Sequence, residues 1–405
     1  MIALDREEDC CGCTACASVC AADCIEMREN SEGFLYPRVD DKRCIGCYKC
    51  EEVCPVANRP VGAGKPAAFL VRVKDSEMLR RCTSGGVFTA LADQTVSQGG
   101  VAYGASFRED FTVHHERITD REDVRRLSGS KYVQSDMRFV FSQVKNDLHE
   151  GRQVIFCGTP CQVAGLHNNL DRKYENLFLI DLVCHGVPSP KLWMNYIDHT
   201  EKKEGKLQYI NFRSKLLGYH VSVMEEQFAN GGVQGGSART NLMLRCYFKD
   251  VADRPICYEC PFKTVSRCSD LTLFDGWHAN KYVKGLKDDD KGYTIVLAQS
   301  AEGRNRIEKS GDLLCFYPID RDLAISLDGK MATYSIERPH DRDEFYQMLD
   351  EYGIEETVKT LFPIKKKDNL IEETKVKLRK LGILPLLKGA KEQLEKINVK
   401  KDNRQ

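Results

Sequence analysis

Two cysteine runs constrain this chain more than any other feature: "CCGCTACASVC" at residues 10–20 and "CIGCYKCEEVCP" at residues 44–55. Cys10, Cys13, Cys16 and Cys20 fit C-x2-C-x2-C-x3-C. Cys44, Cys47, Cys50 and Cys54 repeat the spacing, and Pro55 follows the second run. A structural zinc site pairs two C-x2-C units across a longer spacer, so three close spacings in succession, doubled, argue against zinc. The chain holds 19 cysteines, and its first residues, "MIALDREED", are acidic with no hydrophobic signal core. A cytoplasmic protein is expected, in which thiols stay reduced. Its cysteines then bind metal, serve redox chemistry or fill small core sites. No apolar run has the length of a membrane span. Lys plus Arg equals Asp plus Glu at 60 each, so charge gives no case for nucleic acid.

The doubled spacing is that of bacterial two-cluster ferredoxins. Three cysteines three residues apart wrap one cubane, and the fourth lies too far along to close the same cluster. Cys10, Cys13, Cys16 and Cys54 are therefore expected to hold one [4Fe–4S] centre, and Cys44, Cys47, Cys50 and Cys20 a second. Gly12, Ala15 and Gly46 are small enough to let backbone amides approach the sulfurs and tune potential. Ala21 stands where a proline would be expected after Cys20, which changes a backbone detail and not the ligand count. Cys11 and Cys24 are left over and read as ordinary core or surface cysteines.

The expected organisation is an α+β ferredoxin-like domain over residues 1–58, then a linker over 59–66. An α/β flavin-binding domain with a mixed sheet follows, its first part spanning 67–148 and its second 149–345, and a basic helical tail spans 346–405. From residue 67 strand-like and helical stretches alternate: "AAFLVRV", "GGVFTALADQTVSQGG", "VAYGASF", "QVIFCG", "TPCQVAGLHNNL", "NLFLIDLVC" and "SPKLWMNYIDHTEKKEG", the last capped by Ser189. After residue 205 the pattern looks antiparallel: "KLQYINFRSK", "YHVSVMEEQFANGG" and "DLTLFDGW". The tail from residue 365 has 13 basic and 6 acidic residues. A helix packed on its own core is the first reading of it, a docking helix for a partner the second, and a peripheral membrane contact the last.

Iron–sulfur centres pass single electrons, and a flavin suits them as an acceptor. No G-x-G-x-x-G follows a strand, so no Rossmann signature is present. Four stretches in order, "CTSGGVFTALA" (82–92), "LSGSKYVQSD" (127–136), "FCGTPCQVAGL" (156–166) and "DLVCHGVPSP" (181–190), resemble the coenzyme F420 hydrogenase/dehydrogenase beta-subunit family from about residue 65 to 345. The resemblance implies an FAD-containing domain exchanging electrons between iron–sulfur clusters and a two-electron partner. It implies that Ser84, Gly85 and Gly86 meet the FAD phosphates, that Ser130 and Lys131 lie against the cofactor, and that Thr159 and Pro160 shape the adjoining loop. It further implies a third [4Fe–4S] centre, with Cys161, Cys184, Cys257 and Cys260 as the best-matching ligands. The rival is zinc on Cys246, Cys257, Cys260 and Cys268. Cys82, Cys157 and Cys315 read as non-ligands. "DLTLFDGWH" departs from the family pattern at Phe274, Gly276 and His278, which puts the deazaflavin partner in doubt.

His185 and Asp275 are the candidate catalytic residues, with a hydrogen bond to the loop or to a cluster sulfur as the equal alternative for His185. His114 and His115 read as surface residues, and Arg267 as a salt-bridge partner. The expected activity is an FAD- and iron–sulfur-dependent oxidoreductase acting on an unidentified substrate, with a ferredoxin or another redox protein as electron donor or acceptor. The alternative is an electron-transfer subunit docked on a catalytic partner, a reading left open by the acidic residues 1–60 (12 acidic, 7 basic).

Overall fold

In the computed structural model, residues 2–62, 64–221 and 223–380 are described. The expected tail beyond residue 380 lies outside them. Strands β1 (Ile25–Glu29) and β2 (Leu35–Val39) form an antiparallel hairpin between two short helices, Ala15–Ser18 and Lys49–Glu52. Each cysteine run thus carries one short helix, and the hairpin lies between them.

An eight-stranded mixed sheet forms the centre of the molecule. It uses β3 (Ala67–Val73), β4 (Val101–Phe107), β5 (Val113–Ile118), β6 (Val154–Gly158) and β7 (Leu177–Leu182). Three further strands, β8 (Leu207–Ser214), β9 (Val223–Phe228) and β10 (Val233–Ser237), form a separate antiparallel sheet. The large sheet is then completed by β11 (Leu271–Asp275), β12 (Thr294–Ala298) and β13 (Leu314–Ile319), in the order β13-β3-β12-β11-β7-β6-β4-β5. The pairs β4–β6, β6–β7 and β7–β11 are parallel, and the others are antiparallel. Strands β6 and β12 are buried at every residue, as continuous apolar runs covered on both faces must be.

Segment "DLTLFDGW" belongs to the large sheet, where it pairs antiparallel with β12, as its pattern suggested, and in parallel with β7 on its other side. Strands from both expected parts of the flavin domain share this one sheet. The expected linker packs on the loop that precedes β11: Arg59 donates to the Pro261 carbonyl, and a Cβ on Gly62 would meet the Arg267 amide at 2.4 Å. Residues 346–361, read as the start of a tail, are the body of helix Arg342–Leu361. Its Phe345, Leu349, Ile354 and Val358 enter the core with Leu192 and Trp193 of helix Pro190–Glu204. Ser189 caps that second helix by accepting from the amides of Lys191 and Leu192. Among the described residues no helix is long and apolar enough to cross a membrane.

Candidate iron–sulfur and cofactor site

The two cysteine runs adopt the same unusual backbone. Gly12 and Gly46 have φ +68° and +70°, and Thr14 and Tyr48, two residues on, have +66° and +59°. Left-handed non-glycine residues cost of order 1 kcal/mol each, so a fold that repeats them in register turns both thiol loops for a common purpose. The sulfur of Cys16 lies close to those of Cys10 and Cys54, and Cys13 adjoins Cys16 and Cys10. Burial and this crowding push the Cys16 thiol far up. The Gly12 amide donates to Cys10 Sγ at 3.4 Å, and the Ile2 amide to Cys50 Sγ at 3.3 Å. Cys24, read as left over, is drawn in: its sulfur is 3.3 Å from Cys20 Sγ and close to that of Cys44. Cys47 is exposed.

A second group of thiols closes around an inner chamber. Cys161 follows Pro160 in the first turn after β6, Cys184 lies just beyond β7, and Cys257 and Cys260 come from the turn at Pro255–Glu259 and its end. All four line the chamber, and Cys11 joins them from the first run, with its sulfur against those of Cys13 and Cys161. Burial raises Cys184 to about 12, with Cys161 and Cys260 adding to the rise. Thiols so placed do not ionise on their own; a cationic metal centre that takes them as thiolates would supply the missing charge. Lys263 Nζ, on the same wall, is held by the carbonyls of Cys184, His185 and Met331. The residues of the rival zinc set do not gather. Cys246 is in the core with Trp193 and Phe345, and Cys268 lies beside Asp181 and Asp270. Arg267 is a salt-bridge residue, as expected: its Nη1 meets buried Asp181 at 3.1 Å.

Next to the chamber opens a cavity of about 550 Å³, at the carboxyl ends of β6, β7 and β11, and the two share Cys161 and Cys184 to Val187 as a wall. Open α/β sheets bind ligands at this end of their strands. All four stretches that carried the family resemblance reach the cavity, and so does the segment after β11. Ser84, Gly86, Ser130, Lys131 and Thr159 line it, while Pro160 faces the chamber. Gly85 lines neither. Its amide donates to Thr294 Oγ1 at 2.8 Å, and a Cβ there would meet the Val71 carbonyl at 2.4 Å, so its smallness serves the packing of the turn onto β3 and β12. Thr83 ties that turn to the next loop, its Oγ1 accepting from the Ser130 amide at 2.9 Å. Lys131 Nζ donates to the carbonyls of Arg126 and Ser128, and burial pushes its ammonium down to about 7.

Both candidate catalytic residues are already engaged. His185 Nε2 is 2.6 Å from Asp250 Oδ1. Asp275 accepts from Arg213 Nη1 and from the Tyr219 hydroxyl, each at 3.1 Å. Arg213, which sequence reasoning missed, is buried above the Trp277 ring with its Nη2 unpartnered. A buried guanidinium N–H with no acceptor, on the wall of a cavity, fits a ligand that carries an anionic or carbonyl oxygen.

His115 corrects an expectation. It is 5% exposed and lines the cavity, and it is not a surface residue. Its ring nitrogens meet Ser135 Oγ and the Cys157 carbonyl, both at 2.9 Å. Gln162 donates to Ser135 Oγ and accepts from the Thr159 amide. The carbonyl fixes Nε2 as donor and leaves Nδ1 to accept from Ser135. Burial holds the ring down at about 4, hence neutral. His114, one residue earlier, has its Nδ1 buried without a partner.

Thiol loops beside a cavity on a mixed sheet suit an iron–sulfur protein, and comparison with known proteins supplies the class. The N-terminal part of the coenzyme F420 hydrogenase/dehydrogenase beta subunit matches residues 68–142, its C-terminal part residues 151–319, and a 4Fe–4S dicluster domain residues 9–58. The chain belongs to the coenzyme F420 hydrogenase/dehydrogenase beta-subunit family and carries a 4Fe–4S dicluster domain. It is 23% identical over 273 residues to the uncharacterized protein MJ1349 of Methanocaldococcus jannaschii, covering 55% of this chain and 74% of that protein. It is 34% identical over 58 residues to the polyferredoxin-like protein MJ1302 of the same organism, over 12% of this chain and 34% of the relative. Among solved structures, a chain of the F420-reducing [NiFe] hydrogenase complex from Methanosarcina barkeri matches with a TM-score of 0.46 and 18% identity, over 71% of this chain and 92% of that one.

Proposed function

We propose that the chain is an iron–sulfur flavoprotein oxidoreductase with three [4Fe–4S] centres and one FAD. Cys10, Cys13, Cys16 and Cys54 would hold the first centre, and Cys20, Cys44, Cys47 and Cys50 the second. Cys161, Cys184, Cys257 and Cys260 would hold the third, in the inner chamber. FAD would occupy the 550 Å³ cavity, between Ser84 and Gly86 on one side and Ser130, Lys131 and Thr159 on the other. Bound there, FAD couples one-electron to two-electron chemistry. The single observation that carries this reading is the shared wall: the residues around Cys184 face the thiol chamber on one side and the cavity on the other. Lys131 and the free Nη2 of Arg213 would receive the polar atoms of the cofactor or substrate. Neutral His115 keeps the cavity floor free of added charge.

Electrons would be exchanged with a separate redox protein at the second centre. Exposed Cys47 lies between Ile45 and Tyr48, which are 72% and 58% exposed, and such a small apolar patch beside a thiol set suits a brief encounter with a ferredoxin-like donor. The family's beta-subunit character favours, as a second reading, a catalytic partner subunit that turns over the substrate. Iron, sulfide, zinc and flavin analysis of anaerobically purified protein tests the proposal. About twelve iron per chain are expected, four for each centre, with one FAD. Eight iron, or zinc in place of the last four, would remove the third centre, and protein without flavin would remove the cavity assignment.

A further inference from the structure

Arg254 has 0% exposure, and among the described residues no carboxylate pairs with it. Its guanidinium is spread over neutral acceptors. Nε donates to the Cys10 carbonyl at 2.7 Å, Nη1 to Gln134 Oε1 at 2.9 Å, and Nη2 to the Leu35 carbonyl at 2.9 Å. Nη2 also lies 3.5 Å from Cys10 Sγ, within reach of an N–H···S bond. The Phe34 and Tyr36 rings stack beside Cζ at 5.3 and 4.1 Å. A buried charge without a counter-charge is costly, so the local structure is organised around an anion that sits beside it. Besides Tyr36, which burial keeps protonated, the nearest groups able to become anionic are Cys10 and Cys11 of the first run and Cys257 of the inner chamber. Gly12 makes the approach possible, because a Cβ there would lie 2.7 Å from Nη1.

We infer that Arg254 is a positioning residue that raises the reduction potential of the centre held by Cys10, through its donor to Cys10 Sγ and its fixed charge between that centre and the chamber. This rests on the assignment of [4Fe–4S] centres to these thiols. Adding one electron makes a centre more negative, and a permanent cation with an N–H···S bond stabilises that reduced form.

The test is an anaerobic dithionite titration of the full chain, followed by electron paramagnetic resonance, on protein whose iron has been counted. Arg254→Met is expected to move the midpoint of one dicluster centre to a more negative potential. Arg254→Lys should move it less, and the centre that includes Cys47 should stay in place. Midpoints that do not move at wild-type iron content, or a shift confined to the Cys47 centre, overturn the inference. Where Arg254→Met does not fold, Gln134→Glu decides: it keeps the guanidinium and sets a carboxylate against Nη1. The same negative shift is expected there, and an unchanged midpoint overturns the inference. Wild-type protein without iron would instead defeat the assignment on which it rests.

Discussion

Glu32, at the tip of the β1–β2 hairpin, is expected to clamp the dicluster region to the main body. Arg342, 2% exposed, reaches both carboxylate oxygens of Glu32 with its two terminal nitrogens. The same guanidinium donates to the Asp253 carbonyl at 3.0 Å and to the Tyr258 hydroxyl at 3.2 Å. Removing one partner of a buried pair costs about 3–5 kcal/mol. The Glu32 side chain is 15% exposed, and two acceptors remain for Arg342, so Glu32→Gln belongs at the low end, about 3 kcal/mol. At about 1.4 kcal/mol per factor of ten, that is roughly a hundredfold rise in local opening. Hydrogen exchange measured by mass spectrometry on anaerobic protein reads it directly: amides of 25–39 should exchange roughly a hundredfold faster while those of β6 and β7 keep their rates. Hairpin amides that exchange at the wild-type rate would refute the clamp. Uniform acceleration throughout would show that the pair stabilises the whole chain and not the docking.

Three further outcomes are expected. Cys184→Ser should lower iron by about four per chain, whereas Cys246→Ala, at a fully buried core position, should leave iron and zinc unchanged at a stability loss of about 1 kcal/mol; zinc lost from Cys246→Ala would revive the rival set. Gly165→Ala would bring a Cβ to 2.9 Å from Cys13 Sγ, an overpacking of about 1–3 kcal/mol, so the centre with Cys13 should give up its iron first under a chelator; parity with wild type would contradict the close packing. His115 is lowered from 6.5 to about 4 by burial. The unfolded chain therefore takes up a proton as pH falls below 6.5 and the folded chain does not, so stability present above about pH 6.5 is lost toward pH 4. Between pH 7.5 and 5 that amounts to about 2 kcal/mol. Urea unfolding of His115→Gln should lack this fall, and an unchanged acid limb would assign it elsewhere.

Sequence reading succeeded where the cause was local. The cysteine runs, the strand of "QVIFCG" and the Ser189 cap each follow from neighbours a few residues apart, and the structure has them as β6 and as the start of helix Pro190–Glu204. His115 was legible and missed. It sits at i+2 from Val113 on β5, and both are buried while His114 and Glu116 between and after them are only partly so. Alternation had already marked the inward face. The left-over thiols are core residues, as read, but the sulfurs they meet were not legible. Adjacent residues on a turning loop point apart, so the doublet at 10–11 sends Cys10 toward its own run and Cys11 toward Cys161. Its destination is set by a strand end some 150 residues later, which no spacing encodes. Arg254 and Arg213 carried no periodicity at all. Only the missing counter-ion of the first and the free nitrogen of the second, both properties of packing, single them out. The tail boundary slipped because the charge of 342–361 hid four inward apolar residues on a helix interrupted at Gly353.

The bond from Arg254 to Cys10 spans 244 residues. Ribosomes add roughly 5–20 residues per second, so on the order of ten to fifty seconds separate the birth of the first thiols from the arrival of the side chain that seals them. Through that interval the run at residues 10–20 is without the guanidinium that later encloses Cys10. A centre assembled on residues 10–20 before residue 254 exists would lack its N–H donor, and the surroundings of Cys10 would close only afterwards.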